Sequence, residues 1–319
     1  MNQLILGLRL PLLPLLILTV ATASFAQTTE QREIAAMTFQ SGREFQVPMT
    51  GTPRYPKLRG AMKVKFSQKS GTKVDLSVSE LPPILSLGGL YMSWVVWTIG
   101  SDGRVENVGN LKSSLRGSND GGVDFSTSLS TFAVVVSAEP FAEVRRPGPV
   151  VVLESNPHGS EERHSIVSKR VTYPINQSDF YRDDQVPGSD EKAYRKQRPE
   201  LLRAERARRY AQYAGADSLA SELYKKLVEK LESLKDDISK DLNDKILEQR
   251  TVEIEELAAD AEAEAERVRA SRQVQQAERK RNNEQKEVEK QLIYYENAAK
   301  ERADALEDEK GKRAAADRR

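Results

Sequence analysis

The chain has 319 residues, of which 30% are charged and 38% hydrophobic, with a formal net charge of +1 and no cysteine. That length suits about two domains of ~150 residues each. The balanced charge argues against a nucleic-acid or anionic-membrane surface, and the lack of cysteine excludes disulfides, thiolate metal sites and thiol catalysis.

Residues 1–26 are expected to be a signal peptide. Arg9 is the only charge there, inside the apolar run 4–18, and Ser24-Phe25-Ala26 supplies small residues for cleavage after Ala26. Cleavage also removes the single unit of net charge. Pro11 and Pro14 break the run, which falls short of the ~20 residues a membrane span needs. With no cysteine to carry lipid, the exported chain is expected in the periplasm or cell envelope as a non-lipoprotein. Membrane association is then left to an uncleaved signal or a partner.

Residues 27–44 are polar and expected to be a flexible N-terminal segment. Strand signals fill 45–175. Residues 61–66 and 74–78 alternate, with Ser70-Gly71 as a turn between them and Pro82-Pro83 as a stop. The nearly continuous apolar run 92–99 holds Trp94 and Trp97 and predicts a strand buried on both faces. Asp102-Gly103 is a hairpin turn, returning as 105–111. A second central strand at 131–138 sets Phe132, Val134 and Val136 on one side. Further strands are expected at 149–153 and 168–173. About seven short strands in roughly 125 residues predict an Ig-like antiparallel β-sandwich anchored by Trp97.

A polar linker is expected at 176–193 and a long helical, coiled-coil region at 194–309. Pro199 suits a first helical turn, Gly215 a C-cap, and Asp217 or Ser218 the next N-cap. Leu223, Leu227, Leu231, Leu234, Ile238 and Leu242 follow at spacings of three and four, a heptad-like seam and the candidate interaction residues. Asn243-Asp244 marks a bend. Ile254, Leu257, Ala261, Ala265 and Val268 resume an apolar face, residues 273–287 are almost wholly polar, and Leu292 to Tyr295 form a last apolar cluster. Residues 310–319 are expected to fray. The seam needs a partner, and it leaves open whether the arm folds back or pairs between chains. The expected class is α+β with the two parts as separate domains.

Catalytic signals are lacking. His158 and His164 sit in a polar loop near Glu161 and Glu162, where a metal would want rigid elements. No nucleophile elbow, phosphate loop or dinucleotide fingerprint occurs. Glu255-Glu256 is assigned to a solvated helical face, with no promise of the burial that acid–base work needs. No catalytic, cofactor-binding or metal residue is therefore expected, and no nucleic-acid partner. Arginines at 195, 198, 203, 206, 208 and 209 make the first helix basic, but Glu200 and Glu205 interleave, and neighbouring acidic helix faces are expected to pair with it.

Several stretches carry a resemblance. They are Gly51-Thr52, Tyr55-Pro56 with Gly60-Ala61, and Leu90-Tyr91 leading into Trp94-Val95-Val96-Trp97. Asp102-Gly103-Arg104, Asn107 to Leu111, Thr131-Phe132-Ala133, Ser137-Ala138-Glu139-Pro140-Phe141 and Val150 to Glu154 complete the set. Together they resemble the β domain that precedes the peptidoglycan-binding module in bacterial envelope proteins of the outer-membrane-protein-A (OmpA) family. Leu201 to Leu234, and Ala270 to Arg279, are similar to that family's alanine-rich helices. Trp94, Trp97, Phe132, Glu139 and Pro140 form the signature of the sandwich, which also resembles the extracytoplasmic domain of anti-sigma-K-type factors. The Asp/Arg signature of the peptidoglycan-binding module does not follow, so that binding is not implied. Nor is sigma-factor control, because no cytoplasmic anti-sigma helical domain precedes the sandwich. The expectation is a non-enzymatic periplasmic envelope protein, its sandwich a docking module and its arm a contact for itself or an envelope protein. The alternatives are a coiled-coil regulator of cell-wall hydrolases, or an enzyme.

Overall fold

A computed structural model describes residues 30–88, 90–111, 119–160, 166–182 and 198–316. The expected signal peptide, His164, Arg195 and most of the 176–193 linker lie outside them. The class is α+β: an antiparallel sheet of ten strands followed by helices. The strands are β1 Gln31–Thr38, β2 Glu44–Gly51, β3 Arg59–Ser67, β4 Gly71–Leu81 and β5 Ser93–Gly100, then β6 Val105–Asn110, β7 Asn119–Thr127, β8 Thr131–Glu139, β9 Val151–Ser155 and β10 Val167–Pro174.

The expected flexible segment 27–44 is corrected by β1. It pairs with β10 along all eight of its residues and reaches Thr131 and Phe132 of β8. Ile34, Ala36 and Met37 are buried there, enough apolar surface to hold a strand whose polar neighbours mask it in the sequence. β7 is also new; Gly121 and Gly122 lower its strand propensity, and pairing with β4 supplies the order.

β8 is the branch point. β5 follows one edge from Ser93 to Gly100. On the other edge β1 takes the start, and β9 takes Val135, Val136 and Ser137. From β9 the sheet continues through β2, β3 and β4 to β7, which returns beside β6. The sheet thus curls nearly closed, like a barrel.

Side chains alternate across a strand, so β5 and β8 bury two faces. Trp94, Val96, Phe132, Val134 and Val136 fill the curled interior with Phe45, Met62 and Leu76. Val95, Trp97, Ile99, Ala133 and Val135 point the other way, into a cluster shared with the helices. Trp97, expected at the heart of a sandwich, anchors this outer face instead. At the β5–β6 hairpin Gly103 has φ +79°, and a Cβ there would run into the Thr172 carbonyl oxygen, so the turn needs glycine.

The helices are α1 Pro199–Tyr213, α2 Ala216–Leu219, α3 Ser221–Ser239 and α4 Asp244–Ala316. Pro199 starts α1, and Gly215, at φ +78°, stops it with its N–H on the Gln212 carbonyl at 2.8 Å. Asp217 and Ser218 lie inside α2 rather than capping the next helix. The turn after α3 places Asp241 at φ 56°, and Asn243 Oδ1 accepts the Ile246 N–H at 3.0 Å to open α4. The chain then folds back. Lys230–Glu253 at 2.7 Å and Asp237–Arg250 at 3.4 Å fix α3 and α4 as an antiparallel hairpin. Because these helices and the outer face of the sheet bury one common cluster, they do not stand apart as separate domains. α4 runs to Ala316, and the last three residues of the segment expected to fray lie outside the described residues.

Candidate interaction surface

The first third of α4 is held by buried polar groups. Glu255 is fully buried, and Arg203 of α1 grips both its oxygens, Nε at 2.8 Å and Nη2 at 2.9 Å, while reaching Glu248 at 2.8 Å. Burial lifts the Glu255 carboxyl above the usual carboxylate range, and the Arg203 hydrogen bonds oppose the rise. Two turns on, the buried Glu262 accepts from Tyr210 Oη at 2.8 Å, Asn176 Nδ2 at 3.1 Å and Arg146 at 3.3 Å. Arg146 also pairs with Glu266. Around them Tyr210 meets Phe141 and Phe180 edge to face at 5.3 Å each. The loop after β8, the segment after β10 and α1 thus converge on one stretch of α4.

Glu139 sits beside this seam, fully buried at the end of β8. It accepts from the Gly148 N–H at 2.6 Å, from Tyr181 Oη at 2.7 Å and from Ser137 Oγ, which accepts in turn from Trp97 Nε1 at 2.8 Å. Burial pushes its pKa up to about 7, against those hydrogen bonds, with the charge of Glu262 adding to the rise. The sign follows from linkage. A folded pKa above the unfolded value means that stability is complete below about 4.5 and is lost as pH rises to about 7. Glu139→Gln keeps the neutral shape and is expected to remove roughly 3 kcal/mol of that loss. The readout is the difference between variant and wild-type urea midpoints across this window, since Glu255 and Glu262 slope the same way. Parallel curves would count against the buried carboxyl as the cause.

This seam corrects the solvated placement of Glu255; only Glu256 faces solvent. The signal was present in the sequence. Glu255, Ala258, Glu262 and Ala265 recur at helical spacing beside Ile254 and Ala261, which puts the carboxylates on the apolar face. The basic first helix is largely consumed within the chain. Arg198 pairs with Asp244 at 2.6 Å, Arg203 with Glu255, and Arg208 donates to Tyr224 Oη at 2.9 Å. Arg206 is buried in α1, and burial pushes its pKa down to about 9.

The candidate seam residues are also placed inside the molecule. Leu227, Leu231 and Leu234 are buried, and Leu223, Ile238 and Leu242 pack partly against the same cluster. Of the signature residues, Trp94 and Phe132 line the interior, Trp97 and Glu139 lie under the helices, and Pro140 is buried in the following bend. His158 lies on a short 3-10 turn, its N–H on Asn156 Oδ1. Among the described residues no cluster of three His, Cys, Asp or Glu side chains is arranged for a metal, and no helix is long and apolar enough to cross a membrane.

What remains open is the far part of α4. The helix has 73 residues, about 110 Å at 1.5 Å per residue, and residues 271–297 are all exposed. Val274, Val288, Leu292, Ile293, Tyr294, Tyr295 and Leu306 are each more than half exposed. Comparison with protein-family models, curated proteins and solved structures finds no match.

Proposed function

We propose that this is a non-catalytic contact protein of the cell envelope. On this reading it is exported to the periplasm, and its β domain, a sandwich module of the kind the OmpA-family resemblance implies, is a head from which α4 reaches out to a protein partner. One observation carries it: a helix clamped by ion pairs over its first turns continues for about 45 residues clear of the rest of the described residues, bearing large apolar side chains in solvent. An exposed apolar face of this kind marks an interaction surface.

Truncation after Ser271 separates head from arm. It is expected to leave the stability of the head within about 0.5 kcal/mol of the full chain, as for changes remote from the core, measured by urea unfolding. In cells, cross-linking through Lys290 and Lys300 is expected to capture partner protein with the full chain and none with the truncated one. A head that unfolds on truncation would make the arm structural, and lysines that capture nothing would end the contact reading.

A further inference from the structure

We propose that the distal part of α4 pairs antiparallel with the same segment of a second copy of this chain, centred on Val288. The inference rests on the reading of α4 as a contact arm and names the arm's partner.

Much of the exposed stripe is symmetric about that residue, although Leu292 and Val274 on the same face mirror onto the charged Glu284 and Arg302. Tyr295 lies seven positions after Val288 and Arg281 seven before; Ala299 and Ala277 lie eleven away, Leu306 and Ala270 eighteen. These positions are four or seven apart, one or two turns of helix, and each run of 18 residues completes five turns of 3.6, so they share one face. In an antiparallel pair each position meets its mirror. Leu306 then covers Ala270, the two alanines let the helices approach, and the Arg281 guanidinium lies by the Tyr295 ring, a cation–π geometry. A polar break in the stripe thereby gains a partner.

Charge selects the direction. Residues 267–286 carry seven Arg and Lys against two Asp and Glu, and residues 287–309 carry three against eight. A parallel pair sets like halves side by side, whereas an antiparallel pair sets the basic half on the acidic half. The chain thus supplies its own complement. The bodies do not obstruct this. Ala265 is buried against the head, and Ala270, five positions on, is turned about 140° around the helix from it. The stripe faces away from the head, and the pair would extend over roughly 54 Å between Ala270 and Leu306.

Sedimentation equilibrium of the full chain is expected to show a dimer at micromolar concentration that weakens as salt rises. Leu292→Asp is expected to weaken association at least tenfold while leaving the thermal midpoint of the head unchanged, since Leu292 touches nothing in it. Orientation is read by thiol cross-linking with a short bis-maleimide, free of background because the described chain and the sequence hold no cysteine. An equimolar mixture of A270C and L306C chains is expected to link, as is V288C alone, whereas A270C alone is not. A chain that stays monomeric at roughly 100 µM, or A270C linking to itself as well as the mixture does, overturns the proposal. In the monomeric case the contact reading is judged separately, by whether Lys290 and Lys300 capture a different protein in cells.

Discussion

Trp97→Ala is expected to cost about 3–5 kcal/mol, the range for emptying a buried large aromatic site, and to loosen the helices before the curled sheet. Trp97 is fully buried among Val95, Ile99 and Val135 on the outer face, in the cluster that also holds Tyr210, Leu227 and Ala261. Its loss opens a cavity at the junction and strips Ser137 Oγ of its donor, leaving the buried chain from Ser137 to Glu139 one hydrogen bond short. Trp94 and the interior around Phe132 are untouched. Urea unfolding followed by helical circular dichroism should shift to lower denaturant. An unchanged midpoint would show that the outer face does not hold the helices.

Arg203→Leu is expected to be as costly, about 3–5 kcal/mol, because it leaves the Glu255 carboxylate buried with its main partner gone. Replacing both residues by leucine is expected to recover most of the loss, since two charges then leave the interior together. The comparison of two single variants with the double, by urea midpoints, gives the coupling directly. Additive losses would mean that the pair does not act as a unit. The same clamp fixes the direction in which α4 leaves the head, so a broken pair is also expected to free the arm's base.

Much of the fold is legible in the chain. The run from Trp94 to Ile99 has no polar face, so it had to be a strand covered on both sides. Asp102-Gly103, Pro199 and Gly215 act through local backbone preference, and the structure uses each where its chemistry suits it. Asn243 likewise opens the last helix. β1 was not legible, because its order comes from eight residues of pairing with a strand more than a hundred positions away. The burial of Glu139 was equally hidden, and that of Glu255 and Glu262 showed only in their spacing along the apolar face of the helix. A carboxylate in a charged helix reads as solvated until a guanidinium or a phenol from another element is brought against it.

Sequence alone therefore determined most of the element types, several turns, the apolar seam from Leu223 to Leu242 and the apolar cluster at Leu292 to Tyr295, since all of these follow from short-range periodicity and backbone preference. Only the tertiary structure decided how each stripe is used. The seam from Leu223 to Leu242 is buried against the same chain because the turn at Asp241 reverses direction within one helix length. The stripe around Val288 stays in solvent because α4 extends past the other described elements. Periodicity specifies that a face is apolar; which surface covers that face depends on where the chain turns and how long each helix runs.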